Sequence, residues 1–235
     1  MFEGGNYLVT GASSGIGLAV VRALLRLGGN VIGVARRPVE LEISYETNLR
    51  SICCDLSDFE MLSSKVSETL RGNPLSGAVL AHGYGDFGSV EQFSISRIER
   101  LISVNLTSHI VLSRLIVPAL KSNGGGDLVF IGSESALNPG RKGAIYCGTK
   151  FGLRGFAQSL RLDCAGANVR VGIVNPGMVE TPFFDDLDFE PGESPDNRLQ
   201  PKMVADAVMT MLKLPGGAVL DEINLSPLKT VIRKK

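Results

Sequence analysis

Thr10-Gly11-Ala12-Ser13-Ser14-Gly15-Ile16-Gly17 joins a short apolar run at 6–10 to a stretch at 16–27 whose apolar residues recur with helical spacing. Glycines at 11, 15 and 17 let backbone N–H groups come close to a ligand, and the adjoining helix N-terminus favours phosphate through its dipole. Gly11-Ala12-Ser13-Ser14-Gly15 also matches Gly-x-Ser-x-Gly, the nucleophile elbow of α/β hydrolases, which likewise sits between strand and helix. That elbow takes an oxyanion-hole N–H from an earlier strand–helix loop, yet only ten residues precede Gly11. It also needs a histidine late in the chain, whereas the two histidines are His82 and His109. A P-loop would continue as Gly-Lys-Ser/Thr, and this turn does not. A bare tight turn would leave three entropically costly glycines without a reason. The turn is therefore expected to hold the phosphates of a dinucleotide, with Gly11, Ser13, Ser14, Gly15, Ile16 and Gly17 at the ligand.

Outward from the turn, strand and helix alternate. Apolar runs at 31–35, 51–55, 77–81, 127–132, 169–174 and 218–225 join the run at 6–10 as candidate strands. Helical patterns fall at 16–27, closed by Gly28-Gly29, and at 57–70, opened by a capping box at Ser57-x-x-Glu60. Others fall at 95–121 with one break, at 144–164 and at 201–214. Continuous apolar strands, each followed by a crossover helix, imply a parallel sheet buried on both faces. The expected fold is α/β: a doubly wound, Rossmann-like parallel sheet of about seven strands with helices on both faces. Residues 1–235 would form a single dinucleotide-binding and catalytic domain.

Residues 182–200 carry no such pattern, and an irregular segment of that length suits a substrate lid. It holds Asp185, Asp186, Asp188, Glu190, Glu193 and Asp196 against Arg198 alone. The excess argues weakly against polyanionic substrates, and a solvated acidic loop is the simpler account. Phe183 and Phe184 at its start either cover an apolar substrate or anchor the loop to the core.

Composition limits the partners. Glycine accounts for 28 of 235 residues, above the usual share of about 7%, but no Gly-X-Y period or low-complexity tract accompanies it. Lysine plus arginine number 24, as do aspartate plus glutamate, so the basic excess behind non-specific nucleic-acid or membrane binding is missing. No nucleic acid, membrane or metal is expected as a partner. No apolar run approaches the roughly 20 residues of a membrane span, and residues 1–5 lack a signal-peptide layout. Cys53, Cys54, Cys147 and Cys164 show no Cys-x-x-Cys spacing and read as reduced thiols of a cytoplasmic protein. Arg233-Lys234-Lys235 reads as a solvated tail.

Further residues follow in order: Asp55 after the third strand, Asn105 within Val104-Asn105-Leu106, Ser133 after the fifth strand, then Tyr146-x-x-x-Lys150, and Asn175-Pro176-Gly177 followed by Thr181. With Thr-Gly-x-x-x-Gly-x-Gly, this series resembles the short-chain dehydrogenase/reductase family, from the first strand to about Pro182. The placement of Ser133 thirteen residues before Tyr146 is also the family's usual spacing. One departure stands out. Where the family often has Asn-Asn-Ala-Gly, this chain reads Leu80-Ala81-His82-Gly83, and His82 is expected to support the turn rather than act as a base.

The resemblance implies that Asn105 holds a water between Lys150 and solvent, and that Lys150 holds the nicotinamide ribose hydroxyls. It places Asp55, Leu56, Ala81 and Gly83 towards the adenosine, and Pro176, Gly177, Val179 and Thr181 around the nicotinamide. It also implies a homodimer or homotetramer built through the helices at 95–121 and 144–164. Gly148, Gly152 and Gly155, along one side of the latter helix, fit a partner helix and packing against the core equally well.

Tyr146 and Lys150, four apart on a helix, share a face. A free phenol titrates near 10, and an ammonium within about 4–6 Å favours the phenolate by roughly 1–3 units. Tyr146 then serves as general acid for carbonyl reduction and base for alcohol oxidation, binding beside the cofactor as Lys150 does. Ser133 Oγ would hydrogen-bond and orient the substrate oxygen. Asn105, Ser133, Tyr146 and Lys150 are thus the candidate catalytic set. After the second strand, NAD-preferring sites place an acid, whereas an arginine accommodates the 2′-phosphate of NADP. This chain has Arg36 and Arg37, so NADP(H) is expected in preference to NAD(H). The expected function is an NADP(H)-dependent oxidoreductase interconverting a small carbonyl compound and a secondary alcohol. The alternative is a dinucleotide-binding sensor or scaffold of the same fold without turnover, which loss of Tyr146 or Lys150 would have favoured.

Overall fold

A computed structural model describes residues 2–41 and 48–235; Met1, at the head of the 1–5 segment, lies outside the described residues. The elements run β1 (Asn6–Thr10), α1 (Gly15–Arg26), β2 (Asn30–Ala35), β3 (Leu49–Cys53), α2 (Phe59–Leu70) and β4 (Leu75–Leu80). There follow α3 (Ile95–Ile102), α4 (Ser108–Ser122), β5 (Gly126–Ile131), α5 (Ala144–Cys164), β6 (Val169–Pro176), β7 (Phe189–Pro191), α6 (Pro201–Leu212), β8 (Glu222–Leu225) and β9 (Ile232–Lys234). Seven strands form one sheet in the order β3-β2-β1-β4-β5-β6-β8, with every pairing parallel. This is the expected doubly wound α/β architecture.

Period-two alternation along buried strands explains why both faces need cover. Val9, Val31, Val79, Val129 and Val174 pack with Val20 and Leu24 of α1 and Val204 and Val208 of α6. Their neighbours Leu8, Ile32, Ala78, Phe130 and Ile173 face the other way, against Leu62 of α2, Leu112 and Ile116 of α4, and Leu153 of α5. The strand order reverses between β1 and β4, and in open parallel sheets that switch leaves a crevice beyond the strand ends.

Several boundaries differ from the sequence expectation. Ser57 does not cap α2. Its N–H and hydroxyl both go to Asp55, and Asp58 caps the helix instead, accepting from Met61 N at 3.0 Å. The break in the long helix is a π-helical segment at Ser103–Thr107, a device often found at functional sites. The combined Ile95–Ser122 segment is long and apolar enough, by length and composition, to cross a bilayer, contrary to the expectation that no stretch approached this. Here Leu112, Ile116 and Leu120 of that segment are fully buried in the core beneath the sheet.

The largest correction concerns 182–200 and the end of the chain. The segment is not irregular throughout: Phe189–Pro191 pairs antiparallel with Ile232–Lys234. Arg233 stays exposed to solvent, as expected, but is not a free tail residue: it is ion-paired with Glu190 and Glu193, and Lys229 pairs with Asp196 at 3.0 Å. The acidic excess of one segment meets the basic excess of another 33 to 43 residues away. Such a pairing leaves no local sequence period.

Candidate active site

A cleft of about 430 Å³ opens at the β1/β4 switch point. Its floor is the turn after β1. Gly11 (φ +65°) and Gly15 (φ +52°) adopt left-handed backbone, and a Cβ would press Gly11 against Ala81 O at 3.0 Å and Gly15 against the Thr181 methyl at 3.1 Å. Ser14 is the N-cap of α1 but its side chain makes no cap hydrogen bond. The first-turn N–H groups of α1 therefore have no side-chain cap partner, as an anion site requires.

Of the sequence-derived binding residues, Gly11, Ser13, Ser14, Gly15, Ile16, Arg36, Arg37, Asp55, Leu56, Ala81, Gly83 and Thr181 line this cleft. Gly17, Tyr146, Lys150, Pro176, Gly177 and Val179 do not. Gly17 sits inside the turn, where its own Cα packs against the Gly11 carbonyl. Pro176 ends β6 in the buried sheet. Gly177 donates to Leu225 O at 2.8 Å, and Val179 is buried and bridged to Leu199. Arg36 and Arg37 are exposed on the cleft and engage no carboxylate among the described residues. An anionic dinucleotide fits this donor set: free helix N–H groups at one end and unpaired guanidinium groups at the other.

The lining also includes Tyr84, Gly85, Arg100 and Asp186, which sequence reasoning missed. Arg100 arrives on α3 and reaches Asp55 at 3.3 Å. Hydrogen bonds from Ser57, more than that arginine, hold the Asp55 carboxyl below its usual range. No local pattern marks a residue delivered from forty-five positions away.

Beside the cleft, whose lining includes none of Asn105, Ser133, Tyr146 and Lys150, the ends of β5 and α5 bring together the proposed catalytic set, with Gly83 and Phe183 of the lining next to it. Ser133, two residues beyond the end of β5, caps a short 3₁₀ turn, accepting from Ser135 N at 3.1 Å. Tyr146 and Lys150 lie on the buried face of α5, both 5% exposed. Lys150 Nζ stands 6.0 Å from the Tyr146 ring centroid and donates to Ile131 O at 3.2 Å. Asn105, in the π-helical segment, is fully buried. Its Oδ1 accepts from Tyr84 N at 3.0 Å and its Nδ2 donates to Tyr84 O at 2.8 Å. Its side-chain amide thereby holds the Tyr84 backbone through both ends. Gly83 approaches both Asn105 and Lys150: a Cβ there would meet Asn105 Oδ1 at 3.3 Å and Lys150 Nζ at 3.5 Å.

The electrostatics overturn one expectation. Burial pushes the Tyr146 phenol up to about 12; Ser133, offering its hydroxyl, pulls the other way, while Cys147 and Glu134 add to the rise. Burial likewise drives Lys150 down to about 8. Burial is thus the largest influence on the phenol, and Lys150 is not among the groups that lower it. Glu134, half-buried and raised by its own burial, is a further residue of the site that sequence reasoning did not single out.

His82 takes the supporting role expected of it. Its ring bridges Thr10 Oγ1 and Ser108 Oγ, both at 2.6 Å, and stacks on His109 with centroids 3.8 Å apart. Burial drives His82 down to about 3, so the ring is neutral near pH 7. A neutral ring can serve as donor on one side and acceptor on the other, which ties the glycine turn to α4.

Phe87, Phe183, Phe184 and Phe189 form a continuous aromatic wall over the site. Phe87 and Phe183 lie 5.0 and 6.0 Å from the Tyr146 ring. Phe183 thus anchors on Tyr146, and Phe184 on Phe183 and Phe189.

Comparison with known proteins agrees with this geometry. A family model described as short chain dehydrogenase matches residues 6–190. The chain is 30% identical over 184 residues to a short-chain dehydrogenase/reductase of Penicillium canescens, covering 77% of this chain and 71% of that protein. It is 27% identical over 228 residues to an uncharacterized oxidoreductase of Staphylococcus epidermidis, covering 94% and 96%. Among solved structures, an alcohol dehydrogenase from the archaeon Thermococcus sibiricus complexed with 5-hydroxy-NADP superposes with a TM-score of 0.84 at 25% identity, over 97% of this chain and 99% of that one.

Proposed function

The chain belongs to the short-chain dehydrogenase family of oxidoreductases, and from that premise we propose that it interconverts a small carbonyl compound and a secondary alcohol with NADP(H). The observation that carries this reading is the meeting of Ser133, Tyr146 and Lys150 directly beside a cleft floored by a glycine turn, against Gly83 and Phe183 of its lining. The dinucleotide, when bound, supplies the hydride. The protein's own residues do the rest. Ser133 Oγ orients the substrate oxygen, and Tyr146, kept protonated by its burial, donates a proton to that oxygen as the alcohol forms. Lys150, neighbour to both Tyr146 and Asn105, holds the ribose hydroxyls. Ser13, Ser14 and the α1 N-terminus take the pyrophosphate, and Thr181 faces the nicotinamide end. The aromatic wall excludes water from the reacting atoms and favours apolar substituents on the substrate.

A panel of small ketones and aldehydes tests the reading directly. Turnover is expected with NADPH, and no turnover of any member with either cofactor would sink it. Arg36 and Arg37 support the cofactor choice. Arg36→Asp is expected to move the ratio of kcat/KM for NADPH over NADH towards NADH by about tenfold or more, one charge-assisted phosphate contact being lost. An unchanged ratio would remove Arg36 from cofactor selection.

We also propose a cytoplasmic homodimer or homotetramer through α4 and α5. Gly148 and Gly155 meet nothing within 4 Å of an added Cβ, so packing inside the chain does not account for them, whereas Gly152 packs on Leu106. Phe151, Leu162 and Ile110 are exposed on the same two helices at 42%, 70% and 39%. Light scattering that returned a monomer at micromolar concentration would overturn this.

A further inference from the structure

We propose that β9 is an electrostatic clamp that holds the lid, residues 182–200, against Tyr146, with Arg233 as its principal positioning residue for substrate binding. The inference rests on the reading above only in taking Tyr146 as the reacting centre.

The clamp has a backbone part and a charged part. Glu190 stands opposite Arg233 in an antiparallel ladder that also pairs Phe189 with Lys234 and Pro191 with Ile232. Gly192 N donates to Val231 O at 2.9 Å, Lys229 N to Asp196 O at 2.9 Å, and Lys235 N to Asp188 O at 3.0 Å. The Arg233 guanidinium engages Glu190 and Glu193 together and holds the Glu190 carboxyl below its usual range. Lys229 pairs with Asp196, and Lys235 Nζ donates to the carbonyls of Phe184 and Asp185. Three cations of one segment thus meet three lid carboxylates and two lid carbonyls.

On its inner side the clamped strand touches the site. Phe189 packs edge-on against Phe87 at 5.1 Å, and Phe87 lies 5.0 Å from the Tyr146 ring. Phe184 bridges Phe189 and Phe183, and Phe183 reaches Tyr146. An outward swing of β7 therefore withdraws the aromatic wall from Tyr146. The hold is built to be reversible: exposed ion pairs are individually weak and screened by salt, and a two-stranded ribbon is marginal by itself. A lid so held can open for substrate and close over it without breaking any part of the core.

The test is Arg233→Glu, which gathers three carboxylates where two shared a cation. KM for the carbonyl substrate is expected to rise about three- to tenfold, with kcat and the NADPH Kd nearly unchanged, the effect of a lost pair plus a like-charge contact. Wild-type KM is expected to rise with ionic strength, and the variant's to fall with it, as salt screens the three gathered carboxylates. The double variant Glu190→Arg/Arg233→Glu restores the attraction and is expected to recover most of the wild-type KM, which a merely structural role would not do. An unchanged KM, a fall in kcat at constant KM, or a double variant no better than the single one would each overturn the clamp. If the wild type reduces no carbonyl, that counts against the proposed chemistry, and the clamp is read instead by hydrogen exchange over 182–200. Faster exchange there in Arg233→Glu supports it, and equal exchange overturns it.

Discussion

Tyr146→Phe is expected to lower kcat for ketone reduction by about two to four orders of magnitude, the range for a lost general acid. NADPH affinity is expected to hold. The change removes one oxygen and leaves the ring packed on Phe87 and Phe183, so structural loss is not the cause. The pH profile should separate the two partners. With Tyr146 pushed up to about 12, the proton donor remains loaded throughout the neutral range. With Lys150 driven down to about 8, its ammonium is lost as pH rises through that value. Reduction should therefore hold below about pH 8 and decline above it. Wild-type-like turnover in Tyr146→Phe would take the tyrosine out of proton transfer, and a profile flat to pH 10 would free the reaction from the charge on Lys150.

Gly17→Ala is expected to be the most damaging single-methyl change in the turn. Its Cβ would lie 2.2 Å from Gly11 O and 2.6 Å from Gly11 C, and neither backbone atom can give way without moving the turn from the helix. The cost should reach about 3 kcal/mol, the upper end of overpacking penalties, lowering Tm by roughly 6–12 °C in a chain of this size. NADPH binding should weaken with it, because the displaced turn carries Ser13, Ser14 and the α1 N-terminus. Gly166→Ala, whose Cβ meets nothing within 4 Å, is the control and should change stability by no more than about 0.5 kcal/mol. Thermal unfolding of both variants checks the contrast; equal Tm values would show that the close approach at Gly17 relaxes freely.

Much of the cleft was legible because its parts are local. Gly11, Gly15, Ser13 and Ser14 belong to one turn, and Arg36 and Arg37 follow the next strand, so strand–turn–helix order places them together. Residues assigned by the same order but displaced from the cleft show where that logic ends. Gly17 is used for helix–turn packing, and Val179 is turned inward by its bridge to Leu199. Arg100 and Tyr84 enter from other segments, and nothing near them in the chain announces it.

The sequence by itself determined the alternation of strand and helix, the glycine turn, and the shared helix face of Tyr146 and Lys150, because each rests on spacings of a few residues. Only the tertiary structure decided how those groups titrate. Desolvation depends on everything packed around a side chain, and it reversed the direction expected for Tyr146. It also decided the fate of the charges. Zero net charge and an acidic lid gave no hint that Arg233 and Lys229 would return to meet Glu190, Glu193 and Asp196. Attraction between segments 33 to 43 residues apart has no period in the sequence; it exists only once the fold has closed the distance.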